Sequence, residues 1–69
     1  MKIYNAIATW HNGTEKSFGK YKQKKRILGL IENLKINSLI VRIELETTML
    51  GEYEEAGKYE QKKELVFER

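Results

Sequence analysis

Two spacings of hydrophobic residues take turns along this chain, and their order predicts its elements. Residues 2–10 are rich in Ile, Tyr, Thr and Trp, side chains that fit a pleated, half-buried strand. Residues 14–21 make a second strand-like run. Over 22–36 the spacing changes: Ile27, Ile31 and Leu34 recur at i, i+4 and i+7 with Leu30 beside them, which predicts an amphipathic helix. Asn37-Ser38 closes it. Leu39, Val41, Ile43 and Leu45 then alternate with Ile40, Arg42, Glu44 and Glu46, the period of two that marks a strand buried on one side. A last strand ends with Leu65-Val66-Phe67. Residues 49–61 read in two ways. The preferred one is a hairpin whose acidic loop holds Glu52, Glu54 and Glu55, with Gly51 and Gly57 as punctuation; the other is a short helical turn over 52–56.

The order strand, strand, helix, strand, strand predicts a single small α+β domain over residues 1–69. The helix crosses from the second strand to a third that lies parallel to it, and the third pairs antiparallel with the first. This gives an antiparallel four-stranded sheet in the order 2-1-3-4 with one helix packed on one face, and the other face is left for solvent or a partner.

Asn12-Gly13 is a strong signal for a two-residue hairpin turn. With that loop, Thr9 opposes Lys16 and Ile7 opposes Phe18. Ile3, Ile7 and Phe18 then share the face that receives the helix, joined by Leu39, Val41, Ile43, Leu45, Leu65 and Phe67. The opposite face collects Tyr4, Ala6, Ala8 and Trp10 with Glu15, Ser17, Gly19 and Tyr21. Three rings separated by very small residues make an accessible aromatic surface. Such a surface binds a protein partner, stacks nucleobases, or is covered by the acidic loop or a twofold mate.

Composition narrows the classes. A chain of 69 residues has one small core, and folds of this size often add a disulfide, a metal or an oligomer. There is no cysteine, and His11 is the only histidine, so disulfides and cysteine- or histidine-based zinc sites are excluded. No cofactor is implied. No apolar run approaches the roughly 20 residues of a membrane helix, and no secretory leader is visible, so a cytoplasmic chain with no membrane partner is the expectation.

The net charge of +3 is unevenly spread. Residues 1–37 carry eight Lys or Arg and two Glu, whereas residues 38–69 carry five and eight. Ten of the thirteen basic residues are lysine, a mix common where lysine is the default surface residue. The basic half is nonetheless focused: Lys20, Lys22, Lys24, Lys25 and Arg26 place five cations in seven residues, at the entry to the helix. A helix N-terminus already favours anions, so cations gathered there suit a phosphate or carboxylate. With Lys16 they could track a nucleic-acid backbone while Tyr4, Trp10 and Tyr21 stack.

No catalytic constellation is present. His11 sits at a hairpin tip, Ser17 and Ser38 lack an activating base, and Glu44 with Glu46 read as an ordinary charged strand face. The small size, lysine-rich composition and absence of a catalytic motif resemble those of the short accessory proteins of phages and mobile elements, a likeness that implies an accessory role. The expectation is a small non-enzymatic interaction protein. It binds a protein partner or itself, as a homo-oligomer, through the aromatic sheet face. The alternative is a nucleic-acid-binding protein that uses the basic run.

Overall fold

A computed structural model describes residues 2–50 and 59–69. Strand β1 (Lys2–Trp10) is followed by β2 (Glu15–Tyr21), helix α1 (Lys24–Lys35), β3 (Ile40–Leu50) and β4 (Tyr59–Glu68). They form one four-stranded sheet in the order β2-β1-β3-β4, with every neighbouring pair antiparallel and the helix packed on one face. The α+β fold and strand order are those the hydrophobic pattern predicts. Met49 and Leu50 belong to β3, and Tyr59 to Gln61 belong to β4, so both strands run further than expected. The acidic loop and its helical alternative fall in 51–58, outside the described residues.

The helix sits on the face opposite to the one expected. Ala6 and Ala8 are fully buried, together with Ile27 and Ile31 of α1 and Ile40, Ile43 and Leu45 of β3. Tyr4, Trp10, Phe18 and Tyr21 are partly buried and pack against this cluster, as do Leu30, Leu34, Val66 and Phe67. The two alanines explain the choice of face. With only a methyl group at each position, the branched side chains of Ile27 and Ile31 can come down onto the β1 backbone. The rings flank that contact rather than lie open. Ile3 and Ile7 point by alternation to the helix-free face, where they are half-buried.

The first hairpin accounts for the placement of Phe18. Gly13 N donates to Trp10 O (2.9 Å) and Trp10 N donates to Thr14 O (2.7 Å), so the loop is His11-Asn12-Gly13. Only Gly13 takes a positive φ in this loop, at 91°, which fits a three-residue turn closed by one left-handed glycine. The Asn12 Oδ1 accepts from Thr14 N at 2.9 Å. The extra loop residue slips the pairing by one position: Thr9 opposes Glu15, Ile7 opposes Ser17 and Ala6 opposes Phe18. A slip of one exchanges the faces of Glu15 to Gly19, so Phe18 moves to the helix side, while the bulge at Lys20 leaves Tyr21 opposite Tyr4 as expected.

Bulges correct two further expectations. Trp10 opposes Ile40 while Thr9 opposes Arg42, so Val41 is an extra residue and Ile40 takes the core position; Leu39 stays 51% exposed. On the other side of β3, Ile43 opposes Phe67 while Glu44 opposes Leu65. Val66 is the extra residue there, and Leu65 falls on the helix-free face, also 51% exposed.

Arg69 ties the sheet to the end of the helix. Its Nε donates to Ile40 O (2.7 Å) and its Nη2 donates to Lys35 O (2.8 Å) and Asn37 O (3.2 Å), while the guanidinium lies 4.9 Å from the Phe67 ring centre. Carbonyls at a helix C-terminus lack intrahelical partners and carry partial negative charge, so a cation is well placed. Arg69→Ala should lower stability by about 1.5 kcal/mol, the lower end for hydrogen bonds from a charged group because the side chain is exposed. Urea denaturation would check this. Arg69→Lys should recover little of the loss, since an ammonium cannot reproduce the planar fork.

Candidate functional site

The sheet register gathers most of the sequence-predicted site residues at one end of the molecule. Tyr4 of β1 opposes Tyr21 of β2, while Asn5 opposes Gly19, which leaves Lys20 as the extra residue of a bulge. Lys20 has φ 123°, outside the conformations ordinarily open to side chains larger than glycine's. The chain then passes through Lys22 to Gln23 and enters α1 with Lys24, Lys25 and Arg26. Lys2 begins the adjacent strand at the same end. Lys2, Lys20, Lys22, Lys24, Lys25 and Arg26 are all exposed.

Among the described residues, none of these six cations is in an ion pair. Gln23 is the N-cap residue but makes no side-chain capping bond, and the first turn of α1 holds no acidic residue. Among the described residues the ion pairs are Lys35–Glu32 at 3.0 Å, at the far end of the helix, and Arg42–Glu44 at 3.7 Å, on the sheet. The basic end therefore combines six cations with the partial positive charge of an uncapped helix start.

A half-open groove of about 550 Å³ adjoins it on the helix side. Tyr4, Thr47 and Met49 line it from the sheet, Lys2, Lys24 and Lys62 supply charge, and Glu60 and Glu64 line it from β4. Lys2 and Lys62 escaped the sequence reading, because each reaches the site through strand pairing rather than through the run 20–26. The pairings of Lys2 with Met49 and of Thr47 with Lys62 bring them there.

Two predicted residues lie elsewhere. Trp10 is six residues along β1 from Tyr4, roughly 20 Å at the rise of a strand, and its ring stacks on Phe18 with centroids 6.3 Å apart. Lys16 opposes Ala8, and its Nζ sits 5.4 Å from the centre of the Phe18 ring. Tyr4 and Tyr21 are at the basic end but are partly buried against the core.

The helix-free face has a different character. Asn5 Nδ2 donates to Glu46 Oε1 at 3.3 Å, and Asn5 Oδ1 is buried without a partner beside Gly19. A smaller groove of about 380 Å³ passes over these residues, bounded by Ile3, Ser17, Lys20 and Thr48 among others. Among the described residues no three acidic, histidine or cysteine side chains converge on a metal-sized site, and no helix is long and apolar enough to cross a membrane.

No family model, no curated protein and no solved structure matches this chain.

Proposed function

We propose that the chain is a small binding module, without catalysis of its own, that holds the phosphate backbone of a nucleic acid on its basic end. The observation that carries this reading is the convergence of Lys2, Lys20, Lys22, Lys24, Lys25 and Arg26 from three elements around a helix start with no acidic residue in its first turn. Lysines present point charges and the first backbone N–H groups of α1 are free to donate, a combination suited to phosphate oxygens. The rings contribute little. Tyr4 and Tyr21 are partly buried and Trp10 is at the other end of β1, so base stacking is not part of the reading, and affinity should be tolerant of sequence. A partner bound through the aromatic face is disfavoured because α1 packs on that face.

The test is a fluorescence-anisotropy titration of labelled mixed-sequence duplex and single strand at two salt concentrations. Each phosphate neutralised contributes a slope of about −0.9 to log affinity against log salt on duplex, so with four or more contacts a doubling of salt should weaken binding by about tenfold. The variant K24E/K25E/R26E should bind at least about 30-fold more weakly while its circular dichroism is unchanged. Trp10 emission should not move on binding. Wild-type affinity that ignores salt, an absence of binding at low salt, or a charge-reversed variant that binds like wild type would each overturn the reading.

A further inference from the structure

The two edges of the sheet are not equivalent. On β2 the bulge at Lys20, with its positive φ, interrupts the edge, and bulges of this kind keep edges from pairing. β4 has a bulge of its own at Val66, but near the strand's end, and its register with β3 runs without interruption over the seven residues from Tyr59 to Leu65, against the five from Glu15 to Gly19 on β2. That leaves a regular stretch of strand with its outer hydrogen-bonding groups turned away from the sheet. Helix α1 packs mainly on β1, β2 and β3, so the helix-side positions of this stretch, Glu60, Lys62 and Glu64, are exposed.

The charges along this edge are complementary to those of a second, reversed copy. Lys62 opposes Thr47, and Glu64 opposes Leu45, so neither has an opposite charge directly across the strand within its own sheet. They stand two residues apart on the same face. In an antiparallel pair of identical strands related by a twofold axis normal to the sheet, a centre at Lys63 sets Lys62 against Glu64 of the second copy, and Glu64 against its Lys62. A centre at Gln61 would also set Glu60 against Lys62, but Leu65 would then fall beyond Tyr59, where the second copy's β4 begins; a centre at Lys62 would set Glu60 against Glu64, and one at Glu64 would set two copies of Glu64 against each other. Opposite charges directly across a strand pair are favourable and like charges are not. With the centre at Lys63, Leu65 faces Gln61 of the second copy on the helix-free side and loses part of its exposure. The two Lys63 side chains meet at the axis, but each is cross-strand from Glu46 of its own copy, so the row is neutral in sum.

We propose that two copies of this chain join edge to edge through β4, centred on Lys63, into one continuous eight-stranded sheet with both helices on the same side. The partner is a second copy because the charge pattern matches its own reverse. This pairing stands independently of the nucleic-acid reading, and isologous contacts of this kind are the usual route to homodimers.

Charge exchange tests it. Sedimentation equilibrium across the micromolar to submillimolar range, without nucleic acid, should show wild type associating to a dimer and no further. K62E places acidic residues against Glu64, and E64K places two lysines together, so each variant alone should be monomeric over the same range. The double variant K62E/E64K restores the pairing in reverse and should dimerise, and an equimolar mixture of the two single variants should form the mixed dimer. Both positions of this test are exposed, and circular dichroism establishes that each variant is folded. A monomeric wild type, single variants that dimerise as well as wild type, or a folded double variant and mixture that both stay monomeric would overturn the proposal.

Discussion

Ile27→Ala should remove most of the stability of this fold. Ile27 is fully buried at the point where α1 meets Ala6 and Ala8, and the alanines beneath it have no side-chain atoms with which to fill a void. Truncation of a buried isoleucine loses both the transfer free energy of the removed carbons and the contacts around the cavity left behind, about 2–5 kcal/mol in sum. A domain of this length has a total stability of about 3–10 kcal/mol at the usual value per residue. The variant should therefore unfold at a markedly lower denaturant concentration, or be largely unfolded without any. Leu28 is the neighbour on the outer surface of the helix and is 43% exposed. Leu28→Ala should change stability by no more than about 0.5 kcal/mol. Equal losses at the two positions would mean that the helix does not present Ile27 to the sheet.

Gly19→Val should be the most damaging change on the sheet surface. A Cβ at residue 19 would lie 2.7 Å from Asn5 Oδ1, 2.9 Å from Asn5 Cα and 3.2 Å from Tyr4 O. Two of these atoms are backbone of the central strand, so relief requires β2 to move away from β1. The clash also dislodges the Asn5 side chain that donates to Glu46. Overpacking of this kind costs about 1–3 kcal/mol, and here it also weakens the bulge that turns the chain toward the basic end. Thermal denaturation should show the loss, and nucleic-acid affinity should fall with it if Lys20 and Lys22 are displaced. Gly29 is the contrasting site: no atom lies within 4 Å of a Cβ added there. Gly29→Ala in the helix should raise stability by up to about 1 kcal/mol.

The elements were legible in the sequence because their patterns are local. Ile27, Ile31 and Leu34 repeat at the period of a helix, and Ile43 with Leu45 alternate with Glu44 and Glu46; the structure places each apolar member of these sets at the core. The faces of β1 were not legible. Both carry apolar residues, Ile3 and Ile7 on one and Tyr4, Ala6, Ala8 and Trp10 on the other. Side-chain size alone favours the isoleucines, whereas the closeness of helix to sheet favours the alanines. Asn12-Gly13 fits a two-residue turn and a three-residue turn alike, since Gly13 supplies the left-handed residue that either can use, and the difference of one residue decides where Phe18 points. The bulges at Lys20, Val41 and Val66 leave no mark on the hydrophobic pattern, and each moves a neighbour from the face that strict alternation would assign. The basic end was legible as far as it is contiguous, from Lys20 to Arg26. Lys2 and Lys62 depend on strand register, which the turn and bulges control.

The position of β1 also bears on how the chain reaches this structure. The β1–β2 hairpin forms from residues close in sequence, and β3 and β4 are neighbours in sequence as well as in space. Two-stranded hairpins are marginal alone in water. They become one sheet only along the β1–β3 seam, which joins Lys2 to Met49 and Trp10 to Ile40 across the whole of α1. Closing that long loop must precede the reward from burying Ala6, Ala8, Ile40 and Ile43. The docking of the two halves is therefore the step expected to limit folding, since it carries the longest loop closure.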